Sequence, residues 1–379
     1  MDFSLTEEHE MIRDMVRDFV ESELIPVADE LDRTARFPKE IIEKASELGL
    51  MGMTIPEEYG GAGMDTISYL IAGEELSRGC PGTAVIIAAH HSLVVDPIFR
   101  FGTEQQRKKY VVPLATGEKI GCLGLTEPGA GSDAGAVSTT AQLEGDHYIV
   151  SGSKQFITNA AEADVCLLIV NTDKSRGTRG LSALIVETDT PGFKIGKHEE
   201  KMGIRASSTC ELIFENMKVP RENLLGKEGQ GFIIAMKTLD SGRLSIAAQA
   251  LGICRAAFEK ALRYSKERRQ FGRPISSFQA IQWMLADMAT EMEAVRWLAY
   301  RAAWLKDQGL PYSREAAMVK LKSSEVSNFV CNKALQIHGG YGYIRDYGLE
   351  RHLRDARITE IYEGTSEIQR LVIANHLLK

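Results

Sequence analysis

The chain has 379 residues, of which 44% are hydrophobic and 26% charged, and its formal net charge is −7. This length predicts two or three domains, and the composition is that of an ordinary globular protein. The acidic balance argues against general nucleic-acid binding, which needs a basic excess to neutralise phosphates. The continuous apolar runs are far too short to cross a bilayer, so we expect no membrane association.

The cysteines give no sign of a disulfide framework or a metal site. No two of them form a C-x-x-C pair, and none lies at metal-ligand spacing from another cysteine or a histidine, so we expect buried free thiols in a reducing compartment and no metal. The N-terminus lacks the basic and apolar regions of a signal peptide. We therefore expect a cytoplasmic protein, although a mature mitochondrial matrix enzyme would read the same. The cysteines are Cys80, Cys122, Cys166, Cys210, Cys254 and Cys331.

The first third of the chain has helical periodicity. Apolar residues recur at helical spacing across 12–20, Pro38 can open a second helix, and two apolar helical stretches follow near 68–76 and 85–101. We assign residues 1–118 to an N-terminal α-helical domain.

The pattern changes to short strand-like runs near residue 119. Runs at 147–150, 165–170, 181–186 and 210–214 are separated by turn signals rich in Gly, Asp, Asn and Pro. We assign residues 119–228 to a middle antiparallel β domain.

The helical period returns after the glycine-rich segment at 226–231. Long segments at 232–268, 278–307 and 313–338 predict a C-terminal four-helix bundle over residues 229–379. The fold class is therefore α+β, with a β domain between two helical domains.

A glycine-rich loop at 125–134 contains the pattern G-x-G-x-x-A. We reject a dinucleotide-binding fold, because no helix and no βαβ unit with a suitably placed acid follow the glycines. Exposed backbone N–H groups, with the hydroxyls of Thr126 and Ser132, could instead bind a phosphate or the polar edge of a ring system. A plain glycine turn explains the loop equally well.

Four further segments are suggestive but have ordinary explanations. Phe156 could stack on a planar cofactor, yet core packing is the simpler interpretation. Arg268 and Arg243 could each hold a phosphate or an adenine, yet a charged helix end and a solvated helix face are more common. Gly242 next to Arg243 indicates that bulk is unwelcome there. His338, before the paired glycines that end a helix, favours a structural role.

The most informative segment is the turn around Glu363. Its carboxylate lies between Tyr362 and Gly364, which can make the turn tight, and just before a helix. We expect Ser366 to be the N-cap of that helix, with Gln369 completing a capping box. A carboxylate partly out of water beside an aromatic ring has a raised pKa and can act as a general base, and the helix N-terminus can hold a phosphate.

Taken together, these segments resemble the acyl-CoA dehydrogenase family, most closely its short-chain (butyryl-CoA) members. The resemblance extends over essentially the whole chain. It rests on four motifs in family order, at 125–133, 268–272, 336–340 and 354–365.

The resemblance implies FAD as cofactor, a fatty acyl-CoA as substrate, an electron-transfer flavoprotein as acceptor and a homotetramer built as a dimer of dimers. It makes Glu363 the base that removes the α-proton, while hydride passes from Cβ to flavin N5 and yields a trans-2-enoyl-CoA. The resemblance also implies that the Glu363 backbone N–H and a flavin ribityl hydroxyl donate to the thioester carbonyl and polarise it.

The resemblance also implies binding roles residue by residue. Ser132 would touch both cofactor and substrate. Arg268, Phe271 and Gln279 would reach FAD bound mainly by a neighbouring subunit, as would the turn at 336–340. Asp240 and Arg243 would meet the CoA adenine. The implied FAD-binding residues are Leu123, Leu125, Thr126, Gly131, Ser132, Phe156, Ile157, Thr158, Arg268, Phe271, Gln279, Gln336, Ile337, His338, Gly339, Gly340, Thr365, Ser366 and Glu367, and the implied substrate-binding residues are Ser132, Asp240, Ser241, Gly242, Arg243 and Gly364.

Two departures from the family pattern bear on this interpretation. Phe156 stands where members often have tryptophan, which bears on flavin shielding. Gly242 stands where some members place the base on a different helix, which favours Glu363 for that role. An acyl-CoA oxidase and a non-catalytic flavin-binding relative are the alternatives, and acyl chain length, branching and pathway stay open.

Overall fold

The computed structural model describes residues 4–378, in which helices precede and follow a central sheet. In the first helix Thr6 is the N-cap, with a capping box to His9, and Ile12, Val16 and Phe19 are buried at helical spacing. The second predicted start is displaced by one position, because Pro38 is an N-cap. The helices before the sheet are α1 (Glu7–Phe19), α2 (Ile25–Thr34), α3 (Lys39–Glu47), α4 (Thr66–Gly79), α5 (Pro81–His90), α6 (Asp96–Phe101), α7 (Glu104–Gln106) and α8 (Val112–Ala115), with π-helical turns at Val20–Leu24, His91–Val95 and Arg107–Val111.

The segment Pro81–Phe101 is one continuous helical stretch of 21 residues, long and apolar enough by composition to cross a membrane. The sequence runs within it looked shorter because polar residues interrupt them. Within the fold, 89% of its most apolar window is buried, so the stretch is a core helix.

The central sheet is mixed, which corrects the prediction of an antiparallel sheet. Its strand order is β6-β7-β3-β2-β4-β5-β8, and β1 pairs in parallel with β4. A single parallel pair also joins β2 to β4, whereas the other neighbours in this sheet are antiparallel. The strands are β1 (Gly121–Gly124), β2 (Thr140–Glu144), β3 (His147–Thr158), β4 (Val165–Asn171), β5 (Leu181–Glu187), β6 (Phe193–His198), β7 (Thr209–Pro220) and β8 (Leu224–Leu225).

The centre of the sheet is buried on both faces. Along β4, Val165, Leu167 and Ile169 face the helices at 89–115, while the alternate residues Cys166 and Leu168 belong to a second cluster on the opposite face. Side chains of a strand alternate between its faces, so the continuous apolar run in β4 follows from burial on both sides.

The last part of the chain is a helical bundle, as predicted. Every residue of α9 from 241 to 254 is buried, because α4, α10 and α11 pack around it. Gly252 allows the closest approach, since a Cβ there would lie 2.3 Å from the Glu74 carbonyl oxygen. The short helices α13 and α14 pack against α11. The elements are α9 (Gly231–Glu267), β9 (Arg269–Gln270), β10 (Arg273–Pro274), α10 (Gln279–Asp307), α11 (Ser313–His338), α12 (Gly340–Tyr343), α13 (Leu349–Arg357) and α14 (Ser366–Leu377).

The motif at 354–357 ties the three parts of the chain together. Arg354 donates to both oxygens of Asp32 in α2, at 3.0 and 2.6 Å, and to the Met202 carbonyl at 2.9 Å. Asp355 accepts the Ile204 N–H at 2.6 Å, and burial raises the pKa of Asp355 to about 6. Contacts from one short helix to both other parts place the turn at 363–365, which follows this helix, at their junction.

Candidate active site

The turn that carries Glu363 has an unusual backbone. Glu363 has φ +55° and Gly364 has φ +90°, so both residues are in the left-handed region. The φ of Gly364 favours glycine, and a Cβ there would lie 2.6 Å from Gln369 Nε2, so a side chain at this position would also displace the Gln369 amide. The tight turn at Gly364 is confirmed, whereas the positive φ of Glu363 itself had no signal in the sequence.

The helix after this turn begins differently from the prediction. Thr365 is the N-cap of α14, and its Oγ1 accepts the Ile368 N–H at 3.3 Å. Ser366 is the first helical residue, so the predicted capping box is wrong. Gln369 instead donates through Nε2 to the carbonyl oxygens of Glu363 at 3.0 Å and Gly364 at 2.9 Å. Moving the cap by one residue leaves Gln369 free to brace the turn.

One oxygen of the Glu363 carboxylate, Oε2, is buried and has no hydrogen-bond partner among the residues that the structure describes. It lies against α9 where Gly242 leaves space, because a Cβ on Gly242 would be 2.5 Å from Oε2 and 2.9 Å from Leu93 Cδ2. Burial raises the pKa of Glu363 to about 7, against the opposing effects of the Arg243 and Lys320 charges. The carboxyl group is thus poised to exchange a proton near neutral pH.

Arg243 is buried, which corrects the interpretation of a solvated helix face. Its Nη1 donates to Asp240 Oδ1 at 2.5 Å, and Asp240 also accepts the Ser313 hydroxyl at 2.9 Å. Ser241 is buried as well, with its Oγ 3.3 Å from Asp96 Oδ2. One turn of α9 therefore places two features next to Glu363, the charge of Arg243 and the space left by Gly242. A contact of Asp240 and Arg243 with the CoA adenine stays a prediction.

The glycine-rich loop is fixed from beneath and open above. Glu127 is buried and accepts Lys154 Nζ at 2.7 Å, and Lys154 also donates to the Leu125 carbonyl at 3.1 Å. Although burial alone would raise it, the pKa of Glu127 is held at about 2 by the Lys154 charge and by donors from 138 and 139. A Cβ on Gly131 would meet nothing within 4 Å, and Ser132 is exposed. The loop is a rigid, open cradle of backbone.

Phe156 is not in the core, contrary to the simpler interpretation of the sequence. Its side chain is 62% exposed and its backbone has φ +60°. The adjacent Gln155 N–H donates to the Thr126 carbonyl at 2.8 Å, which joins this corner to the glycine-rich loop. Ile157 points into the sheet core and can offer only its backbone, while Thr158 is half-buried. An exposed aromatic ring beside an open backbone cradle suits a flat ligand.

A second group of predicted residues comes together at the far end of α11. Arg268 lies with its guanidinium carbon 5.4 Å from the centre of the Tyr341 ring, beside a cavity of about 500 Å³. His338 is buried, donates its Nδ1–H to the Ala334 carbonyl at 2.8 Å and stacks on Tyr264, which agrees with a structural role, while its implied contact with FAD stays a prediction. The cavity is lined by Tyr264, Arg268, Gln270, Ile275, Ile337, His338, Gly339, Gly340, Tyr341 and Ile344.

Phe271 and Gln279 project near this second group. Phe271 is 92% exposed with φ +52°, at the tip of the β9–β10 hairpin, and Gln279 is exposed at the start of α10. The two groups are distant within one chain. Lys320, which contacts the Glu363 turn, and Ile337 are 17 positions apart in α11, which corresponds to about 25 Å of helix.

Comparison with known proteins follows the same three-part division. The family models for the N-terminal, middle and C-terminal domains of acyl-CoA dehydrogenase match residues 6–118, 122–217 and 229–378. The chain belongs to the acyl-CoA dehydrogenase family.

Curated relatives extend over the full length. A Clostridium acetobutylicum protein named acyl-CoA dehydrogenase, short-chain specific, is 56% identical over 100% of both chains. An acryloyl-CoA reductase (NADH) of Anaerotignum propionicum is 50% identical and covers 100% of this chain and 96% of its own.

Solved structures agree over the full length as well. Butyryl-CoA dehydrogenase from Megasphaera elsdenii is 48% identical with a TM-score of 0.99, and 100% of both chains is covered. A chain described with the electron transferring flavoprotein of Acidaminococcus fermentans is 54% identical, again with a TM-score of 0.99 over 100% of both chains.

Acyl-CoA dehydrogenases are FAD-dependent oxidoreductases, and this chain is an enzyme of that class. Its residues fit the cofactor. The backbone around Gly131 is open, Phe156 offers an exposed ring, and the buried Ser366 Oγ at the start of α14 has no hydrogen-bond partner within residues 4–378. These groups match the flat ring and the phosphates of a dinucleotide.

Lys320 and Gln369 are the site residues that sequence reasoning missed. Lys320 Nζ donates to the Gly364 carbonyl at 2.6 Å and its side chain is fully buried. The signal was its place in α11, where it shares a helical face with small buried residues at 316, 323, 324 and 327. A lysine on such a face is out of place unless it has a buried partner.

Proposed function

We propose that this acyl-CoA dehydrogenase removes hydrogen from Cα and Cβ of a short-chain acyl-CoA, giving a trans-2-enoyl-CoA, with Glu363 as the base. The observation that carries this proposal is the Glu363 carboxylate, which has a buried oxygen without a hydrogen-bond partner in the described range 4–378 and a pKa of about 7. A general base works best when its pKa lies near the operating pH.

The first step is removal of the α-proton by Glu363. As the α-proton leaves, negative charge develops on the thioester oxygen. Fixed hydrogen-bond donors aimed at that oxygen therefore lower the barrier to proton removal. In the described part of the chain no acceptor takes the Glu363 N–H, which leaves this donor available to the thioester. Bound FAD would supply the acceptor for the hydride from Cβ.

The space around Gly242 supports Glu363 as the only base from this side. A Cβ at 242 would lie 2.5 Å from Glu363 Oε2 and 2.9 Å from Leu93 Cδ2, so a side chain on α9 at this position would displace the Glu363 carboxylate from its present place. Leu93, which also approaches Gly242, would form part of an apolar wall for a short acyl chain. An identity of 56% over the full length to a relative named short-chain specific supports a short acyl chain in the substrate.

The cofactor would be shared between subunits. The loop at 123–132, the corner at 156–158 and the turn at 365–367 would hold FAD within one chain. Arg268, Phe271, Gln279 and the turn at 336–340 would reach the FAD of a neighbour, because Ile337 at this turn is separated from Lys320, beside the Glu363 turn, by about 25 Å of α11. This division requires an oligomer, and we propose a homotetramer arranged as a dimer of dimers, with domains at 1–118, 119–228 and 229–379.

Electrons would leave to an electron-transfer flavoprotein. The likeness to a chain described with such a flavoprotein supports this acceptor, and the full-length bacterial relative supports a cytoplasmic location. An acyl-CoA oxidase would instead pass electrons to oxygen, so rapid reoxidation of the reduced enzyme by air would contradict this part of the proposal.

The test is anaerobic flavin bleaching by a series of acyl-CoAs from butyryl to palmitoyl. Wild-type enzyme should bleach fastest with the shortest substrates. Glu363→Gln should stay yellow and lose about 10²- to 10⁴-fold in rate, the usual worth of a general base. Glu43→Gln, which changes an exposed carboxylate on α3, is the matched control and should behave as wild type. Unchanged bleaching by Glu363→Gln would refute the assignment of the base.

A further inference from the structure

The left-handed turn at 363–364 is braced by two side chains that do not take part in proton removal. Lys320 Nζ donates to the Gly364 carbonyl at 2.6 Å. Gln369 Nε2 donates to the carbonyls of Glu363 and Gly364, at 3.0 and 2.9 Å. Left-handed backbone at a residue other than glycine is strained and persists only where the surroundings impose it. Both donors contact the turn directly and can therefore help to impose it.

Lys320 is buried in an unusual way. Its side chain has no exposed surface, yet within residues 4–378 no carboxylate lies within 4.0 Å of its ammonium. Lys154 is equally buried, but its Nζ lies 2.7 Å from Glu127 Oε1. A buried ammonium without an ion pair is costly. Stability alone therefore does not explain a lysine at position 320.

We propose that Lys320 and Gln369 are positioning residues for Glu363, fixing the left-handed turn so that the carboxylate oxygen and the Glu363 N–H face the substrate together. This inference rests on the proposed function of Glu363. Gln369 acts through hydrogen bonds alone. Lys320 acts through its hydrogen bond and also through its charge, which favours the ionised carboxylate.

The charges around this turn come from several elements. Arg243 in α9 and Lys320 in α11 both favour ionised Glu363, while burial opposes it. Burial also lowers the pKa of Lys320 to about 8, and the nearby carboxylates oppose that shift. Removing Lys320 therefore raises the pKa of Glu363, whereas removing the neutral Gln369 does not. The charged or titratable groups that face this pair are Tyr69, Arg243, Glu360, Tyr362 and Glu367.

The experiment compares Lys320→Met and Gln369→Leu, which remove the donors with little change in volume. Lys322→Met, on the exposed side of the same helix, is the control for loss of a lysine. Both test variants should lose at least about tenfold in kcat with KM changed far less, because misplacement of a catalytic group affects the chemical step. Only Lys320→Met should also move the acidic limb of the pH profile upward, by about one unit.

Two further measurements separate this inference from its alternatives. A lysine with a purely structural role would lower Tm when replaced, whereas Lys320→Met should keep or raise Tm because it removes a buried charge. Infrared difference spectra against Glu363→Gln report protonation of Glu363 without turnover, and the Lys320→Met pKa should be higher there too. An unshifted infrared pKa with kcat retained would overturn the inference, whereas a shifted pKa in an enzyme that oxidises no acyl-CoA would overturn only the proposed function.

Discussion

Glu363 combines two local costs that an ordinary surface glutamate would avoid. Its backbone is left-handed, and its carboxylate has a buried oxygen to which no group in the described part of the chain is hydrogen-bonded. Both features are expected of a catalytic residue, because a carboxylate whose anion is well stabilised by its surroundings is a weak base. A substitution that removes the Glu363 charge should therefore lower activity and raise the stability of the fold.

We therefore predict that Glu363→Gln stabilises the protein at alkaline pH. Below pH about 4.5 the carboxyl is protonated in both states, but between there and about 7 only the unfolded state ionises, so stability falls as pH rises. The full cost, about 3 kcal/mol, is present above that window. Thermal unfolding at pH 8 should show a Tm gain of a few degrees, and the gain should shrink toward pH 5. A gain that is equal at both pH values would contradict the raised pKa.

Part of this residue-scale picture was predictable. An acid between an aromatic residue and a glycine, before a helix, indicated a dry carboxylate in a tight turn. The burial of Arg243 was not predictable, because the polar run at 240–243 carries no apolar signal and its burial depends on α6 and α11 packing across it. Nor could Thr365 be chosen over Ser366 as N-cap, since adjacent hydroxyl residues cap equally well in sequence terms.

At the scale of elements, β3 matters most to the cofactor site. Its buried Lys154 holds the glycine-rich loop through Glu127, and its end presents Phe156. The sequence indicated this strand and the loop, but not the parallel pairing of β1 with β4. Hairpin signals describe neighbours in sequence, whereas β1 reaches β4 only after the β2–β3 hairpin has intervened.

Lys154→Met should therefore loosen the loop. It leaves the buried Glu127 without its counter-charge, which typically costs about 3–5 kcal/mol. We expect a lower Tm and a lower flavin-to-protein ratio after gel filtration. Lys197→Met, which removes an exposed lysine paired with Glu199, is the control. Adding Glu127→Gln to Lys154→Met should restore part of the lost Tm, and no restoration would argue against the charge explanation.

At the scale of the whole molecule, the two groups of proposed cofactor residues are far apart, since Lys320 beside the Glu363 turn and Ile337 beside Arg268 are separated by about 25 Å of α11. Within a single chain, only the group near Glu363 can contact the flavin ring that reacts. The residues around the cavity beside Arg268 can contact FAD only if a neighbouring subunit binds it there. The nearly complete exposure of Phe271 fits the same view, because it leaves the ring at the hairpin tip available to a neighbouring subunit.

Phe271→Ser should accordingly weaken both assembly and cofactor retention. Burial of a phenylalanine is worth about 2 kcal/mol, or roughly thirtyfold in an association constant. Light scattering after gel filtration should show species smaller than in wild type at low concentration, with less bound flavin. Met11→Ser, which changes an exposed residue on α1, should leave both unchanged. Wild-type mass and flavin content in Phe271→Ser would exclude this hairpin from the interface.

The most direct test of the account is the pH dependence of kcat/KM for butyryl-CoA, which reports the ionisation of the free enzyme's essential base. Because Glu363 must be ionised to take the α-proton, the rate should rise with pH through an apparent pKa of about 7. A profile that stays level from about pH 5 to 9, or a limb at the ordinary value of 4.5 for a solvated glutamate, would contradict it.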